Sequence, residues 1–138
     1  MSITTAETGA AGRHGAAVKV TGPSGLFFLS GINPNPVYHS QPLTEAESRV
    51  PADIREQTEV MLDNLSETLG ASEMNWSSVA KIILYLTDIR EAGTVREAFV
   101  SRFGREWSPA FTTVQVDNLV TRGTRVQLDV IAAGPTSA

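Results

Sequence analysis

The eight residues Val79–Leu86 (VAKIILYL) constrain the fold of this chain more than any other segment. They form a nearly continuous apolar run with β-branched members, the pattern of a buried central strand. A helix is predicted on either side of it. The first starts at Asp53, which can cap the N-terminus, with Glu56 placed to complete a capping box. Ile54, Thr58, Met61, Leu62, Leu65 and Leu69 follow at helical spacing on one face, and Gly70 supplies a stop. The second is predicted from a capping box of Thr94 and Glu97, with Val95, Ala98, Phe99 and Phe103 as its buried face and Gly104 as its end.

Four more strands complete the pattern. Ala17–Thr21 and Leu26–Ser30 read as a hairpin, because Gly22-Pro23-Ser24-Gly25 between them is turn chemistry. Phe111–Val116 and 126–132 alternate as half-buried strands, joined through a polar turn around Arg122-Gly123. Residues 1–16 are rich in Gly, Ala, Ser and Thr and are expected to form a loose arm. The resulting order, β-β-α-β-α-β-β, predicts an α+β sandwich with a mixed sheet and two helices on one face. The other sheet face carries apolar groups that this chain leaves bare, so self-association is expected. From Gly31 to Pro51 the chain is irregular. Asn33-Pro34-Asn35-Pro36 and Pro42 remove backbone donors, and a loop of this length is either mobile or functional.

Composition narrows the function. The 138 residues fit one domain, and the absence of cysteine excludes disulfides and thiolate zinc sites. A net charge of −4 without a basic run argues against a nucleic-acid surface, where affinity comes largely from neutralising phosphates. No apolar stretch approaches the roughly 20 residues that cross a bilayer, and the first sixteen residues lack the apolar core of a signal peptide. A cytoplasmic protein without membrane partners is expected.

No phosphate loop, nucleophile elbow or dinucleotide fingerprint is present, and neither His14 nor His39 has a partner at metal-ligand spacing. No metal and no organic cofactor is therefore expected. His14 reads as a solvated residue of the arm, whereas His39 beside Tyr38 sits in a Pro-rich loop suited to folding over a pocket. Trp76 reads as a packing residue. Trp107, ahead of the strand that begins with Phe111, belongs either to the core or to a pocket between subunits. Gln127 and Asp129 share one face of the last strand, where an acid marks either solvent or an interface.

Several segments carry a family resemblance: Leu29-Ser30-Gly31, the helix with Gln57 and Asn64-Leu65, and Val79-Ala80-Lys81 with Tyr85-Leu86-Thr87-Asp88. Ser108-Pro109-Ala110-Phe111-Thr112-Thr113-Val114-Gln115-Val116 and Val126-Gln127-Leu128-Asp129-Val130-Ile131-Ala132 continue it. In order and spacing these resemble the RidA (YjgF/YER057c/UK114) family over about Gly15 to Ala133, making 17–134 the RidA-like domain. The resemblance implies a chorismate-mutase-like sandwich assembled as a homotrimer, with small-molecule pockets between subunits. It also implies hydrolysis of reactive enamines and imines such as 2-aminoacrylate. In typical members an arginine grips the substrate carboxylate, a glutamate holds the attacking water, and the Ser-Gly backbone helps to place the substrate.

Carried onto this sequence, the pattern keeps Ser30 and Gly31 and departs elsewhere. The arginine falls at Phe111, the glutamate at Gln127, an aromatic hydroxyl at Ala17 and a helix asparagine at Arg96, while Asp129 remains acidic nearby. Losing transition-state contacts of this kind costs about 2–4 kcal/mol each, so weak or absent 2-aminoacrylate deaminase activity is expected. Gln127, Asp129 and Arg96 are the candidate catalytic residues. Ser30, Gly31, Phe111, Ala17, Tyr38, His39 and Trp107 are the candidate substrate-binding residues. The resemblance then implies a divergent enzyme acting on a C–N bond of a larger, less polar metabolite. The alternative is a trimer that binds a metabolite or partner without catalysis, and ribonuclease activity fits the acidic charge least.

Overall fold

The computed structural model of the protein describes residues 2–6, 17–22, 25–37 and 40–134. Its elements are β1 (Ser2–Ala6), β2 (Ala17–Thr21), β3 (Gly25–Phe28), α1 (Ile54–Ala71), β4 (Val79–Leu86), α2 (Ala92–Phe103), β5 (Ala110–Gln115) and β6 (Val126–Gly134). Four strands form one mixed sheet in the order β3-β6-β4-β5. Only the β4–β5 pair, joined by the α2 crossover, is parallel. Both helices lie on one side of it, the predicted α+β arrangement.

The predicted central strand is central. Val79, Ile82, Leu84 and Leu86 turn inward with Val126, Leu128 and Val130 of β6 and meet Met61, Leu62, Leu65 and Leu69 of α1. Each fully buried aliphatic side chain contributes about 1.5–3 kcal/mol relative to exposure. The two helices are also tied by Arg102, which bridges Glu59 at 2.7 Å and Asp63 at 2.6 Å. Among the described residues no helix covers the opposite sheet face, which presents Leu26, Phe28 and Val114, 58%, 73% and 38% exposed.

Four local expectations are corrected. Residues 2–6 of the expected arm pair antiparallel with β2, while 7–16 lie outside the described residues. The first two predicted strands do not form a hairpin: β2 pairs with β1, and β3 pairs with β6, since long-range partners override local turn chemistry. Asp53 caps α1 as predicted, accepting from the Glu56 N–H at 3.0 Å, but Gly70 is not the stop. Met74 and Glu73 donate to the carbonyls of Leu69 and Gly70, and Glu73 takes the left-handed conformation (φ 58°), which completes a Schellman closure. Thr94 and Glu97 lie inside α2 rather than at its start. The short 3-10 turn Ile89–Glu91, capped by the Asp88 side chain, leads directly into the helix two residues earlier. Gly104 ends α2 with φ 86°, as its sequence position predicts.

One buried polar residue decides how the loops meet the sheet. Gln57 is fully buried on α1, yet all its polar atoms are partnered. Its amide nitrogen donates to the Pro51 carbonyl at 2.7 Å and the Gly123 carbonyl at 2.9 Å, and its oxygen accepts from the Arg125 N–H at 2.9 Å. Removing it strands three backbone groups and opens a cavity. Gln57→Ala is expected to lower unfolding stability by about 3 kcal/mol in urea titration. A loss below about 1 kcal/mol would show that the clasp is replaceable.

Candidate functional site

A cavity of about 940 Å³ opens beside the edge strand β3. Its walls are the segment Phe27–Asn33, the loop residues Asn35–Val37 and Gln41–Leu43, one side of α1 at Asn64, Thr68 and Ser72, and the turn Val120–Arg122, with Gln127 projecting from β6. Most of its lining is apolar side chains, amides and hydroxyls, and Arg122 is the one charged residue among the described lining.

Backbone pairing brings Ser30 and Gly31 to Gln127. The Leu29 N–H donates to the Val130 carbonyl, and Ile32 exchanges bonds of 2.9 and 2.7 Å with Leu128, so the Ser-Gly step runs along β6. A Cβ on Gly31 would lie 2.7 Å from the Gln127 amide nitrogen and force that side chain aside. Asn33 donates to the Gln127 oxygen over a long 3.5 Å.

The Pro-rich loop is held against α1 by another amide. Asn64 donates to the carbonyls of Asn33 at 2.8 Å and Asn35 at 2.7 Å. Asn35 is 5% exposed, and its N–H donates to the Asn33 side chain in a tight local turn. Its side-chain oxygen has no hydrogen-bond partner among the described residues, and an unmade acceptor of this kind costs about 1–3 kcal/mol. Further along, Glu47 accepts from the N–H groups of Thr44 at 2.9 Å and Ser40 at 3.0 Å. These bonds favour the ionised form and pull the Glu47 carboxyl down from 4.5 to about 2.

The predicted site residues do not form one cluster. Ser30, Gly31 and Gln127 share the large cavity. Asp129 stands exposed on the helix-free sheet face, next to Ile83 of β4. Phe111, by contrast, lies opposite Ile82 and faces the helices, the other side of the sheet from Gln127, which lies opposite Tyr85. There the Arg96 guanidinium sits 5.2 Å above the Phe111 ring, and Phe111 meets Phe99 edge-on. Trp107 stacks on Phe99 and donates through its indole N–H to the Trp76 carbonyl at 2.6 Å. Arg96, Trp107 and Phe111 border a second, small cleft of about 40 Å³. Ala17 is exposed at the start of β2, and Tyr38 and His39 lie outside the described residues. Sequence reasoning missed Asn33, Asn35, Asn64 and Arg122. The usable signal was the seven-residue spacing of Gln57 and Asn64, two amides on one side of an otherwise apolar-faced helix.

Among the described residues no group of three or more His, Asp or Glu could hold a metal ion, and no helix is long and apolar enough to cross a membrane. A family model described as Endoribonuclease L-PSP matches residues 4–134. The chain belongs to that family. It is 34% identical over 123 residues to Protein DfrA of Myxococcus xanthus, covering 89% of this chain and 86% of that protein. Reactive Intermediate Deaminase A, chloroplastic, of Arabidopsis thaliana is 32% identical over 123 residues, covering 89% of this chain and 59% of the plant protein's length. Among solved structures, a Mycobacterium tuberculosis member of the YjgF/YER057c/UK114 family superposes with a TM-score of 0.62 at 25% identity, covering 95% of this chain and 98% of the other.

The charge of Glu47 gives the loop a defined acid limit. A carboxyl lowered in the folded state adds stability that is complete above its unfolded value of 4.5 and is lost as pH falls through about 2. The Ser40 and Thr44 amide resonances are expected to stay unchanged from neutral pH to below 4 and to move only as pH nears 2. A midpoint near 4.5 would contradict the latch.

Proposed function

We propose that this protein is a RidA-like homotrimer whose subunits share small-molecule pockets, and that it acts on an imine, enamine or related C–N bond of a larger, less polar metabolite. The observation that carries the reading is the large cavity in which Ser30 and Gly31 meet a neutral Gln127. Its size and mixed lining fit a ligand with a substantial apolar part. The exposed Leu26, Phe28 and Val114 on the helix-free face support subunit packing there. In such a trimer the Arg96–Phe111–Trp107 cluster of one subunit would border the Gln127 side of its neighbour, which reunites the two halves of the candidate site.

Hydrolysis of an imine adds water across C=N and then expels ammonia, so the site must orient a water and accept its proton. Gln127 can orient water but cannot take a proton. Asp129, two residues along the same strand face, is the acid proposed for that role. Ser30 and the Gly31 backbone would place the substrate. The missing acid in the described cavity lining also favours a second reading, a trimer that binds its metabolite without turning it over.

Imines generated in situ by an amino-acid oxidase test the proposal. Hydrolysis of bulky aromatic imines is expected to accelerate while 2-aminoacrylate-type imines respond weakly. Phe111→Arg should shift preference toward the small substrates, and Asp129→Asn should lower turnover at least tenfold without dissolving the trimer. Strong wild-type activity on small imines would refute the remodelled pocket. Inactivity on all imines, with a ligand still bound, would select the binding reading.

A further inference from the structure

We infer that Arg122 is the carboxylate-binding cation of the large cavity, so that its ligand is an organic anion with an apolar body; this rests on reading that cavity as the ligand site, and not on turnover. Arg122 is the only charged residue among the described lining, and no described acid is there to neutralise it. Its guanidinium makes no ion pair among the described residues, whereas Arg49, Arg55, Arg90, Arg102 and Arg125 are each bound to a carboxylate. A guanidinium without an acid beside it, at a cavity of mixed apolar and amide lining, is a forked donor suited to two parallel bonds with a carboxylate.

The Arg122 side chain is exposed, but the backbone that carries it is held in place. Thr124 donates its N–H to the Thr121 carbonyl at 3.2 Å, and Gly123 has φ 86°, the arrangement of a type II turn with Arg122 at its second position. Glycine is needed there because the third position requires positive φ. The Gly123 carbonyl is clasped from below by the buried Gln57 amide at 2.9 Å. The guanidinium therefore projects from a turn anchored to α1 rather than from a free loop. Arg96, the cation singled out by sequence, sits instead over Phe111 on the other side of the sheet.

The chemistry defines the ligand class. A carboxylate at Arg122 leaves the apolar part of the ligand to Phe27, Leu29, Val37 and Leu43, and the reacting centre to Gln127 and Gly31. A matched pair of probes separates charge from shape: 3-phenylpropanoate and its neutral amide, 3-phenylpropanamide. In calorimetric titrations of the full chain, the acid is expected to bind the wild type at least tenfold more tightly than the amide. Arg122→Gln should remove that difference and leave amide binding unchanged, while Arg122→Lys should retain part of it. Equal affinities of wild type and Arg122→Gln for the acid would overturn the assignment, as would a loss confined to Arg96→Gln or no binding of the acid to the wild type. Because neither probe contains a C–N double bond, an inert enzyme with intact, Arg122-dependent binding would refute the proposed hydrolysis alone.

Discussion

Two side-chain amides on one helix hold the site together. Gln57 and Asn64 lie two turns apart on α1, and each reaches a different wall of the cavity. Gln57 fixes the turn that carries Arg122 and the start of β6, while Asn64 fixes the Asn33–Asn35 bend of the Pro-rich loop. Neither wall has a sheet of its own to pair with. A proline-rich segment has few backbone donors to offer, so its carbonyls need donors from elsewhere, and a side-chain NH₂ supplies two at once. Buried amides are stabilising only when every atom is partnered, and Gln57 meets that condition completely.

The helix thus serves two ends. Its apolar face closes the core against β4 and β6, and its amides turn the adjoining loops into cavity walls. The sheet does the same from the opposite direction. β6 turns Val126, Leu128 and Val130 to the core and Gln127 and Asp129 to the other face, so one strand both stabilises the fold and presents chemistry. Gly31, just beyond β3, lies against the Gln127 side chain. The aromatic cluster around Phe99 holds Phe111 and Arg96 on the far side of the sheet from Gln127.

Much of the fold is legible in the sequence because it is written in local periodicity. The octad Val79–Leu86 reads as a buried strand, and the spacing from Ile54 to Leu69 reads as a helix, since side-chain direction follows backbone period. Partner choice is not local. The turn residues between β2 and β3 satisfied every hairpin rule, but β3 found its partner in β6, more than a hundred residues onward. The Thr94–Glu97 pattern was a valid cap that a preceding 3-10 turn made unnecessary. In the site, Ser30, Gly31 and Gln127 were named separately and only through the family resemblance, and the role of Asn64 was not legible, because its acceptors are backbone carbonyls 29 and 31 residues away that carry no sequence signature. Arg122 looked like turn composition until the turn was seen to border the cavity.

The dependence of the loop wall on α1 can be measured directly by hydrogen exchange of Asn64→Ala beside the wild type. Amides over 33–37 are expected to exchange at least tenfold faster in the variant, with those over 121–126 unchanged, since the Gln57 clasp is separate. Equal protection of 33–37 in both proteins would show that the loop holds itself and that Asn64 does not fix the cavity wall.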